Sequence, residues 1–322
     1  MSHFAASRPA RWSVLRAFAS LVLGMVFAAA ALAQPAPRRP PIVGLAHVGL
    51  HTSNLAAARH FYGDVLGFQQ PFTVNKPGGG LMLTYFKVND HQYIEVFPDL
   101  ASPDADRLSH IAFETTDVRA LRNYLAANGV KVPAQLKPGL DGNLSMMIQD
   151  PEGHNIEFVQ YLPGSLHSRN FGKFLGPKRI SHHLLHAGFV VHDRAAEYHF
   201  FHDILGFQET WHGGMTDTRT DWVDMRVPNG TDWLELMLTT GTPTVRQRGV
   251  MNHLALLTDH IHATAKTVAA RGFKANPPQI GRDGKWQQNL YDPDGTRVEM
   301  MGPKPVEKPC CSAFHNLTPG KK

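Results

Sequence analysis

Cysteine is almost absent from this chain, since only Cys310 and Cys311 occur among its 322 residues. Because the two are adjacent, no spaced pair exists that could cross-link distant segments, which excludes a disulfide framework as the basis of the fold. The pair stands in a proline-rich tail, predicted as 303–322. Three interpretations of it stay open: a vicinal disulfide, a metal or redox site, or no special role.

The chain also lacks a concentrated positive charge outside its first residues. Its net charge is +5, but Arg8, Arg11 and Arg16 lie in a segment, 1–33, that holds no acidic residue. Without that segment the net charge is +2 (5 − 3). Since no stripe of lysine and arginine remains, the sequence gives no support to a nucleic-acid partner, and none is expected.

The first residues have the layout of an export signal. Basic residues come first, an apolar run follows at 17–33, and Ala31-Leu32-Ala33 forms an A-x-A cleavage site before a proline-rich linker at 34–41. We therefore predict a signal peptide at 1–33, a periplasmic or secreted protein, and no membrane span after cleavage. The alternative is an uncleaved membrane anchor, because seventeen apolar residues are borderline for a span.

The remaining chain contains an internal repeat. The segment HVGLHTSNLAAARHFYGDVLGFQ at 47–69 and the segment HAGFVVHDRAAEYHFFHDILGFQ at 186–208 are identical at 11 of 23 positions without a gap. Each predicts a short apolar strand, a capping residue (Asn54 or Asp193) and an amphipathic helix that ends at Leu-Gly-Phe. The repeat therefore predicts two related domains.

A second type of unit follows each copy of the first. Residues 108–132 and 251–275 again read as strand, cap, helix, glycine turn and strand, and each unit closes with an Asp-Pro-x-Gly turn and a strand, DPEGHNIEF and DPDGTRVEM. A single unit of about 55 residues is too small to bury a core alone, so the units should pair.

The pattern as a whole predicts an α+β fold of four βαβββ modules. The modules group into a first domain at 42–161 and a second domain at 180–302. The segment between them, 162–179, is rich in glycine, proline and basic residues, which is typical of a linker.

Histidine and glutamate occupy matching strand positions in both domains. The successive spacings are 48, 15 and 47 residues in the first domain and 49, 18 and 46 in the second. The two sets are His47, Glu95, His110 and Glu157, then His186, Glu235, His253 and Glu299. Two imidazoles and two carboxylates suit a divalent ion with two positions left for water or substrate, and Zn, Fe, Ni, Co and Mn are all compatible.

A buried carboxylate needs a partner, which supports the same interpretation. One histidine or glutamate on a strand is more often structural, but two matching sets of four favour a metal site in each domain. The four tryptophans that follow the predicted signal peptide all fall in the second domain. Trp233 should share a strand face with Glu235, which predicts an aromatic wall and a small-molecule substrate of aromatic or apolar character. Ordinary core packing is the alternative.

These motifs resemble the vicinal oxygen chelate superfamily, which includes glyoxalase I, methylmalonyl-CoA epimerase, the fosfomycin and bleomycin resistance proteins and the extradiol dioxygenases. The resemblance covers both domains and implies paired βαβββ modules whose curved sheets enclose a metal-centred cleft. The order His-Glu-His-Glu is similar to bacterial glyoxalase I, which implies that all eight residues are metal ligands. Glu157 is then the catalytic base, and Glu299 repeats that role in the second domain.

The resemblance implies three candidate functions. The first is a glyoxalase-like isomerase or lyase reaction through an enediolate, on a substrate that binds the metal through two vicinal oxygens. The second is ring cleavage by an extradiol-type dioxygenase, because the fusion of two domains in one chain is closer to that group. The third is non-catalytic binding or sequestration of a small molecule, against which the retained ligand-type residues argue.

The dioxygenase interpretation makes its own residue assignments. His186, His253 and Glu299 would form a two-histidine, one-carboxylate iron site in the second domain, without Glu235. The leading histidine of the dioxygenase signature is missing, and Gln287 and Gln288 stand in that region. An acid–base histidine would then have to come from His182, His183 or His212.

Overall fold

The computed structural model describes Met1 and residues 37–318. Residues 2–33 of the predicted signal peptide and residues 34–36 of the predicted linker lie outside the described residues. The described part of the chain contains no helix long and apolar enough to cross a membrane. Its strands form two mixed sheets with few helices, which confirms the predicted α+β fold of paired modules in two domains.

The first sheet contains seven strands. They are β1 (Ile42–His51), β2 (Thr73–Asn75), β3 (Leu81–Lys87), β4 (Tyr93–Phe97), β5 (Leu108–Thr115), β6 (Leu144–Gln149) and β7 (Asn155–Gln160). Their spatial order is β2-β3-β4-β1-β5-β7-β6, so β1 and β5, the first strands of the two modules, lie at the centre. Helix α1 (Leu55–Arg59) continues into a π-helical turn (His60–Val65), and α2 (Val118–Ala127) follows β5.

The second sheet contains eight strands. They are β8 (Leu184–Val191), β9 (Gln208–Gly213), β10 (Trp222–Arg226), β11 (Trp233–Leu238), β12 (His253–Leu257), β13 (Gln279–Ile280), β14 (Trp286–Tyr291) and β15 (Arg297–Met301). The order β13-β14-β15-β12-β8-β11-β10-β9 again places the two first strands at the centre. Its helices are α3 (Arg194–Tyr198) with a π-helical turn (His199–Ile204), α4 (Val245–Met251) and α5 (Ile261–Ala270).

The second module departs from the predicted pattern. Where a strand was expected after α2, only an isolated bridge joins Pro138 to Leu144. Pro133 and Pro138 explain this, because proline has no N–H to donate to a ladder. The predicted caps are present: Asn54 accepts a hydrogen bond from the Ala57 amide at 3.0 Å, as expected for a helix N-cap. The boundaries at 161 and 180 stay predictions, since strand pairing locates the sheets and not the folding units.

The two domains share a single hydrophobic core. One cluster of buried residues runs from β1 and α1 of the first domain to β8 and β12 of the second. Phe113 and Phe207 meet edge to face across the domains, with ring centroids 5.2 Å apart. Because β1 alternates, Val48 and Leu50 enter this core while His47 and Gly49 point to the opposite face of the sheet. That opposite face carries the predicted metal ligands.

The two Asp-Pro-x-Gly turns connect the domains reciprocally. Glu152, the variable residue of the first turn, accepts hydrogen bonds from the His192 and Asp193 amides, both at 2.7 Å, at the start of α3. Asp294, the variable residue of the second turn, accepts from the Thr52 hydroxyl at 2.5 Å and the Ser53 amide at 3.1 Å, before α1. Each turn therefore holds the first helix of the other domain as well as leading into its own last strand.

Removing either acidic side chain should loosen the domain interface. We expect Glu152→Ala and Asp294→Ala each to lower the free energy of unfolding by about 1–3 kcal/mol, because each leaves backbone donors without their partner. Urea unfolding followed by circular dichroism measures the loss. Asp259→Ala, at an exposed acidic residue, is the control, and an equal effect of all three changes would contradict the interpretation.

Candidate metal sites

In the first site, one line of residues that pair side by side crosses four neighbouring strands, β4, β1, β5 and β7. His47 on β1 lies opposite Tyr93 on β4 and Ala112 on β5, and Ala112 lies opposite Glu157 on β7. The small side chain of Ala112 separates the imidazole from the carboxylate in this line. The register therefore brings together two of the predicted ligands that are 110 residues apart in the sequence.

Two residues further along β1, a second line of paired residues carries the other two predicted ligands, with Gly49 between them. Gly49 lies opposite both Glu95 and His110. A β carbon on Gly49 would lie only 2.4 Å from Cε1 of His110, so the imidazole needs glycine beneath it. In the second domain, a β carbon on Gly188 would lie 2.0 Å from Cε1 of His253. The pattern His-x-Gly in both first strands is thus a sequence signal of the site that was overlooked.

The four side chains of the first set converge on one point. Nε2 of His47 lies 2.9 Å from Nε2 of His110 and 3.1 Å from Oε2 of Glu157, which lies 3.2 Å from His110. Glu95 lies 3.4 Å from His47 and 3.5 Å from His110. Ligand atoms about 2.1 Å from one ion are about 3.0–3.4 Å apart at octahedral or tetrahedral angles. The residues of the first site therefore fit the predicted divalent ion.

The charges of the first set favour a cation. Burial alone lowers the pKa of His47, but Glu95 and Glu157 raise it to about 9. Burial alone raises the pKa of Glu157, but hydrogen bonds and charge from His110 and His47 lower it well below its usual value. Because these glutamates hold a proton on His47 at neutral pH, binding of a divalent ion should release that proton.

An aromatic cluster borders Glu95. Tyr85 on β3 faces Glu95 across the ladder, and burial together with the charge of Glu95 raises the tyrosine's pKa well above its usual value. His167 packs edge-on against Tyr85 and Tyr93 and stacks on Tyr161, with centroids 4.6–5.1 Å apart. His167 belongs to the predicted linker, 162–179, whose sequence carries no strand or helix pattern that would place it beside the site.

The second set repeats the register of the first. His186 lies opposite Trp233 and Ala255, which lies opposite Glu299, and Gly188 lies opposite Glu235 and His253. Three of the four distances between a histidine and a glutamate are longer. Nε2 of His186 lies 3.0 Å from that of His253 but 3.6 Å from Glu299 and 3.9 Å from Glu235. Nε2 of His253 lies 3.7 Å from Glu299 and 3.1 Å from Glu235. The structure therefore brings all eight predicted residues together in two sets of four, and the second set is wider.

An arginine lies inside the second set. Nη2 of Arg297 is 2.8 Å from Nε2 of His253 and 3.7 Å from Oε2 of Glu235. Nδ1 of His253 lies 2.8 Å from the Met251 carbonyl and donates to it, so the lone pair of Nε2 faces the guanidinium. Burial and then the charge of Arg297 lower the pKa of His253 to about 3, which keeps the imidazole neutral.

The second set opens into a cavity of about 380 Å³. Its walls include Trp211, Trp222 and Trp233 together with Glu235 and Arg297, so the predicted aromatic wall is present. The fourth tryptophan, Trp286, packs instead against His262, with centroids 4.6 Å apart. A cavity of this size accommodates a small organic molecule.

The histidines that a dioxygenase would need lie elsewhere. His182 and His183 line an adjoining cavity of about 590 Å³, which shares Asp224 and Trp233 with the 380 Å³ cavity, and Nε2 of His183 lies 2.7 Å from Asp232. His212 lies 2.8 Å from Glu209. None of the three lines the 380 Å³ cavity, whereas Gln287 does.

The C-terminal tail covers part of the second domain. Cys310 and Cys311 are joined as a vicinal disulfide, one of the three interpretations left open above. The Trp211 indole donates to the Cys310 carbonyl at 3.2 Å, and the Ser312 hydroxyl accepts from the His212 amide at 2.9 Å. The tail therefore lies against the same tryptophan that lines the cavity.

Comparison with known proteins decides the family. The model of the Glyoxalase/Bleomycin resistance protein/Dioxygenase superfamily matches residues 44–158 and 183–300. The chain belongs to this superfamily. Both matched segments carry a complete set of four ligand-type residues. A comparison with curated proteins found no match.

Several solved structures share the fold of this superfamily member. The E323L mutant of homoprotocatechuate 2,3-dioxygenase from Brevibacterium fuscum is 22% identical, with a TM-score of 0.60 over 83% of this chain and 73% of that one. The 2,3-dioxygenase LapB from Pseudomonas sp. KL28 is 17% identical (0.60; 84% and 97%). The Mn(II)-bound glyoxalase from Novosphingobium aromaticivorans is 19% identical (0.58; 85% and 86%). At these identities the likeness shows the fold alone.

Proposed function

We propose that this protein is an exported, metal-dependent enzyme that carries out glyoxalase-like isomerase or lyase chemistry in its first domain. The observation that carries the proposal is the convergence of His47, His110 and Glu157, whose ligand atoms lie 2.9–3.2 Å apart, with Glu95 3.4–3.5 Å from the two imidazoles. The substrate would be a small molecule with two vicinal oxygens, for example an α-hydroxycarbonyl compound. A divalent ion held there would supply a Lewis acid for the oxyanion of an enediolate.

Glu157 is the residue that we propose to move the proton. Its side chain is 14% exposed, against 4–5% for the other three, so it is the carboxylate of the set that a substrate can approach. Its lowered pKa keeps it ionised at neutral pH, as a base requires. It would take a proton from the carbon beside the carbonyl and return it to the neighbouring carbon. Glu95, buried beside both imidazoles, would keep its position.

Extradiol-type ring cleavage in the second domain is the second candidate. The cavity with three tryptophans favours it, because an aromatic substrate would pack well against that wall. The position of Arg297 beside His253 argues against it, as does the absence of His182, His183 and His212 from the cavity lining. We therefore rank it below the first.

Two assays on the purified protein separate these functions. The protein is loaded in turn with Mn(II), Fe(II), Co(II), Ni(II) or Zn(II), then tested for isomerisation of a hemithioacetal and for oxygen uptake with a catechol. The proposal expects isomerisation without oxygen uptake. Catechol-dependent oxygen uptake that survives Glu157→Gln and is lost with Glu299→Gln would replace it with the second candidate. Export is tested separately, by a mature N-terminus at Gln34 in the periplasmic or secreted fraction.

A further inference from the structure

We infer that the second set of four residues does not bind a metal ion, because the guanidinium of Arg297 takes the place of the ion, and that the protein holds one divalent ion per chain, in the first domain. The inference rests on the proposed function only for that one ion. What it says of Arg297 stands on the geometry of the second domain.

The lone pair on Nε2 of His253 is already engaged by Arg297. A metal ion would have to bind His253 through Nε2, since Nδ1 donates to the Met251 carbonyl. That same Nε2 lies 2.8 Å from Nη2 of Arg297, which is an ordinary hydrogen-bond distance for a charged donor. One lone pair cannot serve both, so an ion can enter only after the guanidinium leaves.

The positive charge of Arg297 lies where the charge of a metal ion would be needed. The guanidinium of Arg297 carries a delocalised positive charge, and its Nη2 lies 3.7 Å from Oε2 of Glu235. Its side chain is 12% exposed, close to the 14% of Glu235 and well above the 3% of Glu299. The arginine thus supplies positive charge beside the largely buried carboxylate of Glu235. A divalent ion a few ångströms away would be repelled by it, and leaving would cost the arginine its partners.

The first site has no arginine at the position equivalent to Arg297. DPEGHNIEF and DPDGTRVEM place Asn155 at the position of Arg297, two residues before the glutamate. The side-chain amide of Asn155 donates a hydrogen bond to the Ser109 carbonyl at 3.1 Å on the exposed surface. His110, the counterpart of His253, then meets no arginine: its Nε2 faces His47 and Glu157 at 2.9 and 3.2 Å. The two sets share their strand register, and Arg297 is the residue that places a guanidinium in only one of them.

Exchanging these two residues tests the inference. The wild type, Arg297→Asn, Asn155→Arg and the double exchange are purified in Mn(II), passed through a desalting column and analysed for manganese by mass spectrometry. We expect one ion per chain in the wild type, two with Arg297→Asn, none with Asn155→Arg, and one in the double exchange. Adding Glu299→Gln to the double exchange should remove its ion, whereas adding Glu157→Gln should not.

Arg297→Lys is the control that separates loss of the positive charge from a general disturbance of the fold at this position. Lysine keeps the positive charge, so this variant should retain the count of the wild type. Two ions in the wild type, or an unchanged count with Arg297→Asn, would overturn the inference. No ion in the wild type but one in Arg297→Asn would overturn the proposed metal site of the first domain while supporting the role of Arg297.

Discussion

Glutamine in place of Glu157 should remove the metal ion from the first domain and lower kcat/KM for isomerisation by about 10³-fold or more. The carboxamide has nearly the same shape but no charge, so it is a weak ligand and cannot accept the substrate proton. It also withdraws one of the two carboxylates that face His47. Metal content after desalting and steady-state kinetics measure the two effects on one preparation.

The matched control for this change is Glu299→Gln, which makes the same substitution at the equivalent position of the second domain. Because Arg297 lies within that set, we expect this control to leave both metal content and kcat/KM close to those of the wild type. The reverse result, with activity lost through Glu299 and kept without Glu157, would transfer the chemistry to the second domain.

Much of both sites was predictable because a strand fixes the direction of its side chains. The repeat identified equivalent strands, and alternation placed each histidine and glutamate on one face. Pairing of β1 with β4 and β5 then brought His47 and His110 within 2.9 Å. Residues that need only a strand and a register to reach the site were found from the sequence.

The residues that were missed depend on long side chains or distant loops. Arg297 shares a strand face with Glu299, so its nearness was predictable, but its contact with His253 depends on the rotamers of a flexible side chain. His167 lies in a segment without strand or helix periodicity, and only the folded chain places it against Tyr85. Glu152 and Asp294 are both acidic in the repeat, but their partners lie in the other domain.

Alanine in place of Gly49 should abolish metal binding in the first domain and lower the free energy of unfolding by about 1–3 kcal/mol. The new β carbon would lie 2.4 Å from Cε1 and 2.5 Å from Nδ1 of His110, so the imidazole has to move. Nε2 of His110 then leaves the point where the other three ligands converge. Metal content and urea unfolding measure the two effects.

The equivalent change in the second domain separates loss of metal from loss of packing. In Gly188→Ala the β carbon would lie 2.0 Å from Cε1 of His253, so the steric conflict is at least as severe. We expect a similar loss of stability but an unchanged metal content, because Arg297 already occupies that set. If Gly49→Ala bound the ion as tightly as the wild type, the interpretation that His110 binds it from its present position would be wrong, because the added carbon displaces that imidazole.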